Sequence, residues 1–269
     1  MMKNYRMLAL DFDGTLVNSQ TQVSEEVYLK LKELLNSGII ITIATGRPYY
    51  GAIERVCNIL KLKTPQIVLG GAEIISPETK KVLWQSLIDK EITQRLITYL
   101  LRMNLPYKIE SHDTIFFKDI PIPSKEDSEL KLRSFSEFNH HQSAKIIVYP
   151  NKEFSYNRIV NEISQLFPSL NLNGHKDGSN ELTLNITSKS ANKKIALKKV
   201  SQMLEISANK IVGVGNGLND IDLLNGSALK VAMADAPNEL KTLADIVIPS
   251  AEENGLLELF NKINFWSTK

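Results

Sequence analysis

Two carboxylates stand two residues apart in Asp11-Phe12-Asp13-Gly14-Thr15-Leu16, directly after the apolar run Met7-Leu8-Ala9-Leu10. Burying one unpaired carboxylate is costly, and burying two side by side costs more. The pair makes chemical sense if a cation neutralises it, or if one carboxylate attacks an electrophile while the other handles a proton. Gly14 then lets the chain turn sharply beside a ligand. Three distant segments carry matching chemistry. Thr45-Gly46-Arg47 offers a hydroxyl and free backbone amides where a helix starts, which suits an anionic phosphate. Lys193 stands near the start of another predicted helix. Gly215-Asn216-Gly217-Leu218-Asn219-Asp220 is a glycine-rich loop whose amides and carboxylate can ligate a hard cation. Taken singly, each segment also reads as an ordinary turn, cap or solvated face.

The elements that must position these residues alternate. Strands are predicted over 8–11, 39–44 and 67–69, with helices over 24–35 and 49–60 between them. Ser24 is the expected N-cap and Gly38 the expected stop of the first helix. A helix over 193–204 and strands over 210–214, 229–232 and 246–248 close the chain. Apolar β-branched strands alternating with helices define a parallel α/β sheet, and loops at the carboxyl ends of its strands converge on one site. The middle reads differently. A helix over 91–103, strands over 107–110, 114–117, 145–149, 170–173 and 181–186, and a helix over 153–166 make an α+β module. The breaker at 120–123 and the charged stretch up to His141 read as loop or short helix. The chain thus leaves an α/β domain (1–82 and 188–269), builds an inserted domain (83–187) and returns.

Bulk properties narrow the function. Lys and Arg number 32 against 30 Asp and Glu, a formal charge of +2, too balanced to argue for nucleic acid or an anionic membrane as partner. The chain of 269 residues is 43% hydrophobic and 23% charged, as globular proteins are. The lone Cys57 excludes an intramolecular disulfide and a multi-cysteine metal site. No apolar run reaches the roughly 20 residues of a membrane span, and the apolar run before Asp11 is too short for a signal-peptide core. A soluble cytoplasmic protein is the expectation.

The four segments, in this order, resemble the four motifs of the haloacid dehalogenase (HAD) phosphatase superfamily. The strings Ile43-Ala44-Thr45-Gly46-Arg47-Pro48, Val231-Ala232-Met233, Ala236-Pro237-Asn238-Glu239-Leu240-Lys241 and Glu253-Asn254-Gly255-Leu256 look like its Cof-type branch (subfamily IIB), in which a large α+β cap sits between the second and third motifs. The resemblance implies a Rossmann-like core with a cap that supplies substrate specificity. It implies a Mg²⁺-dependent phosphatase acting on small phosphomonoesters, such as a sugar phosphate or a phosphorylated cofactor. Asp11 would attack phosphorus and Asp13 would serve as acid and base, with Thr45 and Lys193 on the phosphate. Gly46, Arg47 and Asn219 would shape the phosphate pocket. Mg²⁺ would draw on Asp11, the carbonyl of Asp13, Asn216 and the loop ending at Asp220. Lys108, His112, Asp113 and Lys118 would be cap contacts to the substrate.

Two departures matter. Members of that family carry Asp where this chain has Asn216, and Gly-Asn where it has Ala234-Asp235. Either Asp235 restores part of the missing charge, or it merely caps the helix at Pro237. The loss at position 216 also opens one alternative to hydrolysis, a weakened phosphate-ligand binding protein; the resemblance to phosphomannomutases, independent of that position, leaves a phosphomutase as another.

Overall fold

The computed structural model describes residues 5–111, 114–120, 131–139, 142–176 and 182–263. The chain forms two compact units. One comprises the residues up to Arg47, Ala52–Trp84 and the chain from Asn192 onward; the other comprises Pro48–Gly51 and Gln85–Ala191.

The first unit is built on β1 (Met7–Leu10), β2 (Ile40–Ile43), β12 (Ile211–Gly215), β13 (Leu229–Met233) and β14 (Ile246–Ile248). They form one parallel sheet in the order β14-β13-β12-β1-β2. Every residue of β1 is buried, so both of its faces are covered, as its unbroken apolar sequence requires. Met7 and Ala9 join a cluster with Ala196, Leu197 and Val200 of helix α5 (Lys193–Met203). Leu8 and Leu10 point the other way and are equally buried. Helix α1 (Glu25–Asn36) starts where the sequence places it: Ser24 Oγ accepts the amide of Val27 at 3.3 Å. Helix α2 (Ala52–Leu60) begins three residues later than predicted, after Gly51 at φ 56°.

Beyond β2 the ladder thins to a bridge between Ala44 and Ile67, in β3 (Gln66–Val68). The Gln66 side chain takes over there, accepting the Ile43 amide at 2.7 Å and donating to the Thr64 carbonyl at 2.6 Å. Strand β3 then pairs with β4 (Glu73–Ile75), which pairs with β5 (Val82–Gln85). Neither β4 nor β5 is read from the sequence. Both are short, and the turn and charged residues between them hide the alternation.

In the second unit β6 (Tyr107–Glu110), β7 (Thr114–Lys118), β8 (Lys131–Ser134), β9 (Lys145–Val148), β10 (Leu170–Lys176) and β11 (Leu182–Ser188) make a sheet in the order β10-β11-β9-β6-β7-β8. One face packs Tyr107, Ile109, Ile146, Val148, Leu184 and Ile186 against α3 (Lys90–Arg102) and α4 (Tyr156–Leu166). Strand β8 corrects the reading of the charged stretch as loop or short helix. It pairs parallel with β7 at the edge of the sheet, where charged residues suit an exposed strand and mask its periodicity. A short 3₁₀ turn follows at Phe135–Glu137.

The opposite face of this sheet carries a buried charge cluster. Glu110 lies opposite Lys145 in register, and Lys108 stands two residues back on the same face. Lys108 Nζ is 2.8 Å and Lys145 Nζ 3.3 Å from the Glu110 carboxylate. Burial works against the charge of Glu110, but the two ammonium groups outweigh it and hold the carboxyl at about 2. Glu110→Gln therefore leaves two cations without their shared partner and should cost about 3 kcal/mol. Because the folded carboxyl titrates below its ordinary 4.5, the stability it gives is present above that value and is lost as pH falls toward about 2. Urea unfolding of both proteins between pH 7 and 2.5 checks this. The difference in stability between the two proteins should shrink as pH falls, and a gap that does not close in acid refutes the account.

Candidate active site

The reactive residues sit where the strands of the parallel sheet end. Asp11 follows β1 and its amide donates to the Val214 carbonyl of β12 at 2.9 Å. Thr45 follows β2, buried, with its amide on the Ile67 carbonyl at 2.9 Å. The loop 216–220 follows β12, and Lys193 is the first residue of α5. Adjacent parallel strands in register deliver these segments to one edge, the expected place for a ligand in an open α/β sheet.

At its centre lies a buried chain of charges. Lys193 Nζ donates to Asp11 Oδ1 and to Asp220 Oδ1, each at 2.6 Å. Lys193 is 2% exposed, Asp11 5% and Asp220 0%. Burial lifts the Asp11 carboxyl, the Asp220 charge lifts it further, and Lys193 opposes both; the balance stands at about 7. Burial works against the Lys193 charge too, but Asp11 and Asp220 outweigh it and hold the ammonium above its ordinary range. The second oxygen of Asp220 accepts the amides of Asn216 at 3.0 Å and Gly217 at 2.9 Å. Both Asp220 oxygens are thus committed to holding Lys193 and the loop in place.

Two glycines make this approach possible. Gly14 adopts φ 71°, and a Cβ there would stand 2.1 Å from Asn216 Nδ2, so the Asn216 side chain lies directly against the Asp11–Asp13 turn. Gly71 adopts φ 97°, and a Cβ there would stand 2.4 Å from the backbone of Asn192. Only a glycine in this conformation lets the 69–71 turn seat the start of α5. Asn192 caps that helix through Oδ1 and the Ile195 amide at 2.8 Å. Gly71 and Asn192 therefore set the position of Lys193. The sequence signal for Asn192 was available: Asn directly before a helical pattern.

Asp13 is half-exposed and is gripped by Arg47, whose Nε and terminal nitrogen donate to its two oxygens at 2.9 and 2.6 Å. The Arg47 amide donates to Thr45 Oγ at 3.1 Å, and its guanidinium lies 5.7 Å from the Phe12 ring centroid. Thr45, Gly46 and Arg47 thus form one turn that reaches Asp13. Asn219 is exposed on the 216–220 loop. Asp235 is exposed beyond β13, the neighbour of β12, with Gly215 opposite Ala232 in register. Helix α7 (Asn238–Leu243) has Pro237 at its cap position and no side-chain cap bond, so Asp235 does not cap it. In the second unit Lys108 pairs with Glu110, and Lys118 pairs with its neighbour Asp119. His112, Asp113, His140 and His141 lie outside the described residues. Cys57 is buried, as the sequence predicts.

Among the described residues no three His, Cys, Asp or Glu side chains cluster as a metal site. The donors gathered here are instead one carboxylate (Asp11), one carbonyl (Asp13) and one amide oxygen (Asn216). All are hard oxygen donors, the type Mg²⁺ takes; Asn216 stands against the Gly14 turn, with its Nδ2 nearest the position of a Cβ there and its Oδ1 3.7 Å from it.

A family model for haloacid dehalogenase-like hydrolases matches residues 8–260. The chain is similar to phosphatase YwpJ of Bacillus subtilis (25% identical, covering 96% of this chain and 99% of that one). It is also similar to the B. subtilis 5-amino-6-(5-phospho-D-ribitylamino)uracil phosphatase YwtE (23% identical, 96% and 98% covered). A solved structure described as the HAD subclass IIB sugar phosphatase BT4131 shares the fold, with a TM-score of 0.78 at 20% identity over 96% of this chain and 98% of that one. The chain belongs to the haloacid dehalogenase-like hydrolases, within their Cof-type phosphatase branch. Among the described residues no helix is long and apolar enough to cross a membrane.

Proposed function

We propose that this protein hydrolyses small phosphomonoesters, a sugar phosphate or a phosphorylated cofactor, with Mg²⁺ and through an aspartyl phosphate. The observation that carries this reading is the buried Asp11–Lys193–Asp220 chain at the end of β1. Asp11 Oδ1 is committed to Lys193, and Oδ2 remains to attack phosphorus. The phosphorus–oxygen bond to the leaving group breaks, and Asp13 gives that oxygen its proton. Asp13 then takes a proton from the water that attacks the aspartyl phosphate, releasing inorganic phosphate and restoring Asp11. Arg47 aims the Asp13 carboxylate. Lys193 and the Thr45–Arg47 turn supply donors for the phosphoryl oxygens as charge redistributes. Bound Mg²⁺ would be held by Asp11, the Asp13 carbonyl and Asn216, and supplies charge screening between nucleophile and phosphate.

Substrate choice is assigned to the inserted unit, whose sheet presents charged and amide side chains on one face. The relatives named for a sugar phosphate and for a phosphorylated ribitylaminouracil support the size and class of substrate. The test is phosphate release from sugar phosphates, nucleotides and pyridoxal phosphate while Mg²⁺ is titrated. Asn216 supplies one charge fewer than a carboxylate would, so a high Mg²⁺ requirement is expected. Asn216→Asp should lower it by about tenfold, the scale of one weakened ligand interaction. If Asp235 shares the load, Asp235→Asn raises the requirement in the wild type. No turnover with any substrate, with activity appearing in Asn216→Asp, would turn the reading into a phosphate-ligand binder. Phosphate appearing on an added sugar acceptor instead of in solution would turn it into a mutase.

A further inference from the structure

Asparagine followed by glycine readily loses its side-chain amide, because glycine has no Cβ to hinder attack by its own nitrogen. The chain holds four such pairs, at 173–174, 216–217, 225–226 and 254–255. The fold treats them differently. Asn173–Gly174 runs inside β10, in register with β11. Asn225 ends helix α6 (Ile221–Asn225), and the Gly226 amide donates to the Asp222 and Leu223 carbonyls, both at 3.1 Å. Gly255 opens helix α8 (Gly255–Lys262), where its amide donates to the Ser250 carbonyl at 3.0 Å. A Cβ on Gly255 would stand 1.8 Å from the Pro249 oxygen, so that backbone is tightly packed. Secondary structure fixes all three pairs, and the amides of Gly226 and Gly255 are held by carbonyls, which are too weakly basic to take a proton.

Asn216–Gly217 lies outside helix and strand, between β12 and the 3₁₀ turn at Leu218–Asp220. Both residues are half-buried, so the pair is partly open to solvent. Its glycine amide donates to a carboxylate, Asp220 Oδ2, at 2.9 Å. A carboxylate can take that proton as a general base while the nitrogen attacks. The base is fixed in place: Lys193 holds Asp220 Oδ1 at 2.6 Å, and the Asp220 amide donates to the Gly217 carbonyl at 2.9 Å. Attack closes a five-membered ring, so covalent connection alone keeps the Gly217 nitrogen near the Asn216 Cγ.

We propose that Asn216 is a deamidation site, which converts in the folded protein to a carboxylate on the loop beside Asp11. The Gly217 nitrogen bonds to the Asn216 Cγ, and its proton passes through Asp220 to the departing nitrogen. The Cγ–Nδ2 bond breaks and ammonia leaves. Water then opens the cyclic imide. Opening at Cγ gives aspartate at 216; opening at the backbone carbonyl gives isoaspartate. One water enters, one ammonia leaves, and nothing is oxidised or reduced. The conversion needs no phosphatase activity. Its consequence, tighter Mg²⁺ binding by the aspartate form, rests on the function proposed above.

The test is to age the whole, freshly purified protein in mildly alkaline buffer, folded and in urea, and to follow each asparagine by peptide mass spectrometry. In the folded protein Asn216 should convert at least about tenfold faster than each of the other three, well within what a positioned base supplies. In urea the four rates should converge. Asp220→Asn keeps an oxygen for the two loop amides and removes the base, so it should slow Asn216 in the folded protein and leave the urea rate unchanged. Gly217→Ala should slow it in both conditions; the added Cβ meets the free end of the Asn219 side chain. An Asn216 no faster than the other three in the folded protein overturns the proposal. So does an Asp220→Asn protein that converts faster, because Asp220 would then guard the amide. If Asp220→Asn does not fold, the folded-to-urea comparison of the wild type decides alone. The aspartate form, separated by ion exchange, should bind Mg²⁺ about tenfold more tightly in calorimetry than fresh protein, the scale of one strengthened ligand interaction. Equal affinity would overturn the consequence for Mg²⁺, and failure to turn over phosphoesters would count only against the hydrolase reading.

Discussion

Lys193→Met is expected to destabilise the protein by about 3–5 kcal/mol at pH 7, the cost of removing one partner from a buried ion cluster. The cation is 2% exposed and holds Asp11 and Asp220 at 2.6 Å each. Without it, two buried carboxylates face each other with no counter-charge, and one of the two must take up a proton. The folded variant then binds more protons than its unfolded chain across the weakly acidic range. Its stability should rise as pH falls from 7 toward 5. A further variant separates this account from simple loss of packing. Lys193→Met combined with Asp11→Asn keeps only one buried carboxylate, so it should recover most of the loss at pH 7. Guanidinium unfolding of the single and double variants forms the cycle. A double variant no more stable than Lys193→Met alone would mean that the ammonium matters for its volume and not for its charge. Under the proposed chemistry both variants lose turnover.

This cluster was only partly legible from the chain. The residue types were, because Asp11, Lys193 and Asp220 each stand beside a recognisable strand end or helix start. So was the sheet that joins them: the unbroken apolar run 7–10 and the mostly apolar, β-branched 39–44 read as strands buried on both faces. Their bonds were not legible, because 182 residues separate Lys193 from Asp11 and nothing local sets the reach of a lysine. Asp220 illustrates the difference. Expected in a cation site, it spends both oxygens on Lys193 and on two loop amides. Arg47 is expected as a phosphate contact, and the structure adds its two bonds to Asp13. Pairing of this kind depends on two loops reaching the same strand end, which only the completed sheet decides. The missed strands β4, β5 and β8 have a common cause. They are three or four residues long, two of them carry exposed residues, and so short a strand gives periodicity little to work on.

Asp11→Asn should do the opposite of a typical buried polar substitution and make the metal-free protein more stable, by about 2 kcal/mol at pH 8. The wild type carries two carboxylates for one ammonium in this buried cluster. Burial and Asp220 together hold the Asp11 carboxyl at about 7, against an ordinary 3.8, and Lys193 only moderates them. An acid whose folded value is raised favours the protonated fold. The wild type therefore loses stability as pH rises from about 4 through about 7, and above that the loss is complete. The amide introduced by Asp11→Asn would still offer an oxygen to Lys193 and leave that ammonium paired with Asp220, one cation to one anion. Urea unfolding in a chelator at pH 5, 7 and 8 should show the variant's advantage growing over this window and levelling off above it. Mg²⁺ should then stabilise the wild type more than the variant, because the carboxylate that destabilises the empty fold is the one a cation needs. A variant less stable than the wild type at pH 8 would show that Lys193 fully compensates Asp11, and that the site stores no electrostatic strain. If the advantage appears, the group proposed to attack phosphorus is the group the fold is least willing to bury ionised. Its raised free energy is what a cation and a phosphoryl group would relieve, which ties the cost of the site to its use.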